Sequence, residues 1–526
     1  MEAELQNDPV ARFTQALRHQ QAGELREAEL HYQAVLELAP DFAEAAYNLA
    51  ALYTRTERDG DAVVLLRKVT AQQPHNAGAW NNLGLALQRL GNMPEATRVF
   101  EVGVAVPEAP AYVFYNYGRL CYALENLMQA ETLTRAAIAR DQSQPEFHNN
   151  LGLILRDRGR LEEAITAYQE SLRLQPGYIE AAVNLGVAYK LQGDIRQAEA
   201  CFREALQYHP DAAEARFHLG MLLLSEGHYA EGFPLFEARW QVPEFARHIR
   251  DFSLPWWRGE ALTRKTLYLW ADQGVGDMLM FAGLLPEVAE LAGQCIVDAP
   301  ERLLPLFRRS FAALQNVRFV TAWDDMPKAD YQLPLSSLAA QLRTDGVFPA
   351  HPGYLVADPE RVQVCRARYA MLGKEAKIGI SWHTTNQRHV QRKRSIALVD
   401  WLPLFRCFPE AVFISLQYGD HRAELQAFYE ETGFRVHADT TVDALDSLED
   451  FAAQVAAMDQ VISIDNSTVH MAGALGVPVQ VLLPEVADWR WVRGKATTPW
   501  YPTMQLCWQR PGEPWGAVIQ RVAELG

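Results

Sequence analysis

Three short segments of this chain gather the residue types that could hold a phosphorylated ligand and move a proton. The first is Ala271-Asp272-Gln273-Gly274-Val275-Gly276-Asp277-Met278, which follows an apolar run and opens a helix. Gly274 and Gly276 let the backbone turn tightly and approach a ligand. Asp277 then enters the first helical turn, where a carboxylate at the mouth of a cleft can accept a proton from a hydroxyl. The second segment runs from His383 to Ser395 and carries Arg388, Arg392, Lys393 and Arg394 within seven residues of an acidic chain. Such a cluster suits a diphosphate, because a guanidinium fork matches two oxygens at once. Arg394 is the first candidate and Arg388 the next. The third segment runs from Val461 to Pro478. Asp465 ends a strand, Asn466, Ser467 and Thr468 lead to a helix amino terminus, and His470 follows. Backbone N–H groups and the two hydroxyls there can receive phosphate oxygens, helped by the helix dipole. Asp465 or His470 could orient a sugar or the loop itself. Gln417, at the end of another candidate strand, joins Gly274, Gly276, Arg388, Arg394, Asp465, Asn466, Ser467, Thr468 and His470 as the donor-binding set. Plainer readings stand beside these: Asp277 as a helix-dipole carboxylate, the basic loop as a docking patch, His470 as a packed helix residue.

The elements that must position these segments are short apolar runs alternating with helical stretches. Strands are expected at 265–271, 294–299, 317–321, 331–335, 376–382, 411–417, 434–438, 460–465 and 478–483. Alternation of this kind implies parallel sheets with both faces covered. The series reads as two consecutive α/β lobes, 264–374 and 375–526, with ligands expected at the carboxyl ends of the strands. Residues 241–263, with Pro243, Pro255, Trp256, Trp257 and Gly259, read as an ordered connector. Trp489-Arg490-Trp491 and Trp500-Tyr501-Pro502 could frame a base, an interlobe hinge or core packing.

Residues 9–240 follow a different rule. Ala16, Ala50, Gly84, Gly118, Gly152, Gly186 and Gly220 stand 34 positions apart, each followed twelve residues later by Ala28, Ala62, Ala96, Ala130, Ala164, Ala198 or Gly232. Pro40, Pro74, Pro176 and Pro210 close four of the units. Backbones cross closely only where side chains are small, so this period marks stacked helix pairs and resembles the tetratricopeptide repeat, with about seven units. Asn48, Asn82, Asn116, Asn150 and Asn184 stand two positions before the small residue and are expected to form one column along the concave wall. Amides offer donors and an acceptor together, so the column could hold the backbone of an extended acceptor peptide. It breaks at Thr14 and His218, as expected of terminal repeats. Trp80, Phe114 and Phe147 are expected to pack between repeats.

Composition bounds the partners. A net charge of -16 over 526 residues argues against a nucleic-acid-wrapping surface. No apolar run approaches the ~20 residues that span a bilayer. The acidic start, Met1-Glu2-Ala3-Glu4-Leu5, lacks a signal-peptide pattern. Six cysteines scattered at 121, 201, 295, 365, 407 and 507 suit reduced thiols, so a cytoplasmic location is expected. The Asp324-Asp325 pair is not a convincing metal site, and neither metal nor cofactor is expected beyond a nucleotide-sugar co-substrate.

The segment 460–484, together with the Gly-Val-Gly-Asp turn at 274–277, resembles the GT-B glycosyltransferases of the ADP-heptose:lipopolysaccharide heptosyltransferase type. The asparagine column resembles the ladder of the O-GlcNAc transferases. Repeats followed by this lobe pair look like bacterial tetratricopeptide-repeat glycosyltransferases, including flagellin-modifying enzymes. The resemblance implies a GT-B fold, with Asp277 as catalytic base and Asp465, Asn466, Ser467 and His470 in the nucleotide-sugar loop. The loop 388–394 would lie on the donor-phosphate side. Asn466-Ser467 departs from the family's Thr-Gly, which narrows the space beside the donor. The implied activity is inverting, metal-independent transfer of a sugar to a Ser or Thr hydroxyl of a flagellin-like protein held by the repeats. Two alternatives are transfer to a saccharide or lipid carrier, and a scaffold whose transferase region no longer turns over.

Overall fold

The structure, a computed structural model, describes residues 8–250, 252–321, 328–348, 353–384 and 394–525. The chain divides into two compact units between Gln192 and Gly193.

The first unit is a run of antiparallel helix pairs, beginning with Pro9–Gln21 and Leu25–Leu38 and ending with Ile179–Gln192. Its helices are 13 or 14 residues long. Asn92 and Asn126 start second helices by accepting the backbone N–H three residues on, which satisfies a donor the helix cannot pair itself. The period of small residues has a steric cause. A Cβ added to Gly84 would lie 2.7 Å from the Phe100 ring, and one added to Gly152 would lie 2.5 Å from Tyr168. In these repeats the partner sits sixteen residues after the small position, on the facing helix. At Gly118 that partner is Thr134, whose hydroxyl would be 2.9 Å from the added carbon.

The second unit opens with more of the same repeat: helices Ile195–Tyr208, Ala213–Ser225 and Tyr229–Phe236, then a 3-10 turn Glu237–Gln241. The expected boundary at 240 is therefore not where the compact units part. Phe217, Tyr229, Phe233 and Phe236 share one continuous core with Met278, Leu333, Trp489 and Trp500 of the α/β region, so the last helices of the repeat are built into that body. The connector is joined to it through the sheet edge. Trp257 N–H donates to Gln332 O and Gln332 N–H to Pro255 O, both at 2.9 Å, and Trp256 packs edge-on to Trp240 and Trp270.

Two all-parallel sheets follow. The four-stranded sheet contains β1 (Thr266–Trp270), β2 (Gln294–Asp298), β3 (Val317–Val320) and β4 (Tyr331–Pro334) in the order β3-β2-β1-β4. The six-stranded sheet contains β5 (Lys377–Ser381), β6 (Val412–Ser415), β7 (Val436–His437), β8 (Gln460–Ile464), β9 (Val479–Leu483) and β10 (Met504–Trp508) in the order β10-β9-β8-β5-β6-β7. β10 was not expected. It is a short run whose Gln505 is exposed, and its strand character comes from pairing along the whole length of β9. In both sheets the chain winds outward one way from the first strand and then returns to its other side. That leaves a crevice beside β1 and β4, and another beside β5 and β8, where ligands sit in such folds. Among the described residues no helix is long and apolar enough to cross a membrane.

Candidate active site at the ends of the two sheets

The loop after β1 and the loop after β8 meet. Helix Val275–Ala282 packs on helix Ser467–Ala474, and a Cβ added to Gly276 would stand 3.0 Å from the His470 ring and 3.5 Å from Ser467 Cα. Gly276 is thus small because the opposite helix approaches it. Around this contact lies a cavity of about 470 Å³ lined by Gly274, Gly276, Asp277, Arg394, Asp465, Asn466, Ser467 and His470. It is also lined by Arg302, Tyr418, Asp488 and Arg490. Eight of the residues singled out in the sequence therefore share one space.

Arginines and carboxylates alternate across it. Arg490 donates to Asp277 and, at 3.2 Å, to Gln273 of the first loop, while its other Nη meets Asp488 at 2.5 Å. Arg394 donates to Asp465 at 3.1 Å. Burial pushes the Asp465 carboxyl above its ordinary range, and Asp488 adds to that against the pull of Arg394. Burial opposes ionisation of Asp488 as well, but Arg490 and Arg394 outweigh it and hold that carboxyl down at about 2. Desolvation and then the Arg490 charge lower His470 to about 4, so its ring is neutral at neutral pH. The ring stacks on Trp491 at 5.5 Å, and its Nδ1 meets the Tyr501 hydroxyl at 3.0 Å.

Several expected donor contacts are spent inside the protein. Gln417 does not line this cavity. Its Oε1 accepts from Ser381 Oγ and from the N–H groups of Trp382 and His383 at 2.8 to 3.1 Å, so it fixes the end of β5. Thr468 is fully buried behind the cavity wall. Asn466 caps the helix: its Oδ1 accepts the Thr468 N–H at 3.0 Å and its Nδ2 donates to Ser381 at 2.7 Å. This caps an amino terminus expected to be free, and of the two hydroxyls expected there only Ser467 lines the space. Asp465 is a partner of Arg394, which makes it a support for the guanidinium. Arg388, Arg392, Lys393, Asp324 and Asp325 lie outside the described residues. No cluster of metal-ligating side chains occurs among the described residues. In the sequence Arg490 stands out only within Trp489-Arg490-Trp491, as a candidate frame for a base or a hinge, and not as a partner of Asp277. The signal available was its place in the loop that follows β9, in a sheet whose other strand-end loops were already candidates.

The asparagine column is more closed than expected. Asn82 donates to Tyr47 at 3.2 Å, Asn116 to Asn81 at 2.8 Å and Asn184 to Asn149 at 3.0 Å, each across 35 residues to the preceding repeat. Asn150 turns inward instead and donates to Thr134 at 3.2 Å. Thr134 supplies a buried hydroxyl where the neighbouring repeats carry Phe100 and Tyr168. Four amides stay partly exposed, Asn48 among them, and Asn150 is buried. Phe114 and Phe147 are buried as expected, and Trp80 donates to the carbonyl of Pro74 at 2.9 Å.

Tetratricopeptide-repeat families match residues 13–68, 60–111 and 183–242, and a second such family matches 143–208. The helix pairs are tetratricopeptide repeats. The chain is 30% identical over 323 residues to Protein FlbA of Caulobacter vibrioides, covering 57% of this chain and 53% of that protein. It thus spans about half the length of that curated relative. Among solved structures, the MamA protein matches 33% of this chain and 94% of its own at 22% identity, with a TM-score of 0.30. YrrB, described as a tetratricopeptide-repeat protein with an unusual peptide-binding site, matches 35% and 95% at 22% identity, with a TM-score of 0.31. PilF of Pseudomonas aeruginosa matches 39% and 94% at 20% identity, with a TM-score of 0.35.

Proposed function

We propose that this protein is a GT-B-type glycosyltransferase that moves a sugar from a nucleoside diphosphate donor to a hydroxyl of a protein acceptor. One observation carries the reading: Arg394, Arg490, Ser467 and the carboxylate Asp277 converge on a single cavity where two doubly wound sheets present their strand ends. A diphosphate needs cations and N–H or O–H donors in that arrangement. In the step proposed, the acceptor hydroxyl attacks the anomeric carbon and forms a C–O bond while the bond from that carbon to the diphosphate oxygen breaks. The hydroxyl proton passes to Asp277, and the diphosphate leaves with the electron pair, held by Arg394 and Arg490. Ser or Thr of a protein is the acceptor favoured, because tetratricopeptide repeats supply a surface for a peptide or protein partner. The partly exposed amides of Asn48, Asn82, Asn116 and Asn184 are the contacts proposed for its backbone.

The test is calorimetric titration with a panel of nucleoside diphosphates, followed by transfer from the matching sugar donors. Binding of one nucleotide family, weakened at least about tenfold in Arg394→Ala, is expected. Turnover should be lost in Asp277→Ala. Absence of binding to every nucleoside diphosphate would sink the reading.

A further inference from the structure

The ion pair between Arg490 and Asp277 creates a conflict that the proposed reaction must resolve. A carboxylate neutralised by a guanidinium is a poor proton acceptor, and a guanidinium held by two carboxylates is a poor phosphate ligand. Arg490 is shared between Asp277, from the loop after β1, and Asp488, from the loop after β9. Gln273 takes a further bond from the same Nη that meets Asp277. Arg394 has its own carboxylate in Asp465, which comes from neither of those loops. Arg490 is thus the arginine whose partner is the candidate base.

We propose that Arg490 masks Asp277 until a nucleoside diphosphate arrives and draws the guanidinium away. The inference rests on the transfer reaction proposed above and gives Arg490 two parts in it, as ligand of the diphosphate and as partner of Asp277. The incoming phosphate oxygens compete with Asp277 for the Nη2 side of the fork, while Asp488 keeps the Nη1 side anchored. The guanidinium stays paired throughout the exchange, so the cost falls on Asp277, which gives up its cation. Its consequence is that Asp277 becomes a free carboxylate only when a donor is bound, which couples base competence to donor occupancy. An acceptor hydroxyl that enters before the donor meets a carboxylate already hydrogen-bonded to Arg490.

The test is a double-mutant cycle on nucleoside diphosphate affinity, using the full chain and the nucleotide that the wild type binds most tightly. Asp277→Asn removes the competitor with an isosteric side chain and is expected to tighten binding about tenfold, an ordinary coupling between two ligands of one group. In an Arg490→Gln background the same change should leave affinity unaltered, because no guanidinium remains to be released. A tightening of equal size in both backgrounds would mean a simple gain of positive potential and would overturn the inference. So would unchanged or weaker binding in Asp277→Asn alone. If Arg490→Gln does not fold, Arg490→Lys replaces it. An ammonium cannot bridge Asp277, Gln273 and Asp488 together, so the gain from Asp277→Asn should shrink, and an undiminished gain again overturns the idea. A wild-type protein that binds no nucleoside diphosphate defeats the proposed function itself, which separates the two failures.

Discussion

The ring of Phe236, at the end of the last repeat helix, lies 5.0 Å from that of Trp489, the residue before Arg490. Phe233 of the same helix meets Trp489 and Trp500 edge-on. The final repeat is therefore part of the wall behind the candidate site. A chain beginning at Gly193 is expected to unfold cooperatively with native near-ultraviolet circular dichroism. A chain beginning at residue 241 strips the aromatic cover from Trp489 and Trp500 and should lose that signal or aggregate. Equal cooperativity in the two truncations would show that the repeat is dispensable to the α/β body.

Arg239 gives the same junction a polar component. Its side chain is fully buried and donates to Ser336 at 2.8 Å and Ser337 at 2.9 Å, and Ser336 in turn donates to Asp272 at 2.5 Å. Asp272 begins the loop that carries Gly274 and Asp277. Burial raises its carboxyl above the ordinary range, partly offset by Arg239 and the Ser336 bonds. Arg239→Ala takes the cation from its ion-pair partner Glu237 and from the field on Asp272, and should cost about 3–5 kcal/mol near neutral pH. A carboxyl raised in the folded state destabilises when charged, and that penalty fades as pH falls through its folded value. The gap in urea midpoint between Arg239→Ala and wild type should therefore narrow on acidification. A gap that stays constant with pH would assign the loss to packing.

The nine strands read from the sequence are apolar runs bounded by turn residues, and they were legible because burial on both faces forces that composition. β10 was not, since Met504–Trp508 carries an exposed Gln505 and follows an aromatic stretch that reads equally as core. The small-residue period was legible as a steric demand and the repeat match ends near 240, but the compact units part earlier, between Gln192 and Gly193. The choice of Phe233 and Phe236 to pack on Trp489 is a long-range contact with no local signature. Gly276 and Asp277 were readable from the turn they make. Arg490 was not, because its role depends on a carboxylate 213 residues away. Gln417 and Asn466 show the converse: polar residues at strand ends can be consumed in fixing the loop that carries the site.

His470 makes the site sensitive to acid. Its ordinary value near 6.5 drops to about 4 in the folded protein, through burial first and Arg490 second, with Asp277 and Asp488 pulling the other way. Between those values the unfolded chain binds a proton that the native state refuses. The contribution to stability is full above pH 6.5 and is lost as pH falls toward 4, by about 3 kcal/mol. Urea midpoints at pH 7 and pH 4.5 should differ by less in His470→Gln than in the wild type. An identical acid slope in the variant would transfer the effect to other groups.

The repeat period itself can be tested at Gly152. A methyl group there would stand 2.5 Å from the Tyr168 ring, a rigid neighbour that is itself fully buried. The first repeat carries Ala16 at the equivalent place, sixteen residues before Tyr32, and both are buried. Helix pairs of this kind can therefore be spaced to admit a methyl. In the middle of the array that respacing must be accepted by helices on both sides, so Gly152→Ala is expected to cost about 1–3 kcal/mol. Gly118→Ala faces the single hydroxyl of Thr134 at 2.9 Å instead of a ring, and Thr134 also holds Asn150. Its cost should be smaller, and smaller still when measured in a Thr134→Ala background, whose own loss of the Asn150 bond is thereby subtracted. Chemical denaturation of the wild type, the three single variants and the double variant decides it. Equal losses at Gly118 and Gly152, unrelieved by the second change, would mean that glycine is needed there for the helix backbone and not for the neighbour it faces.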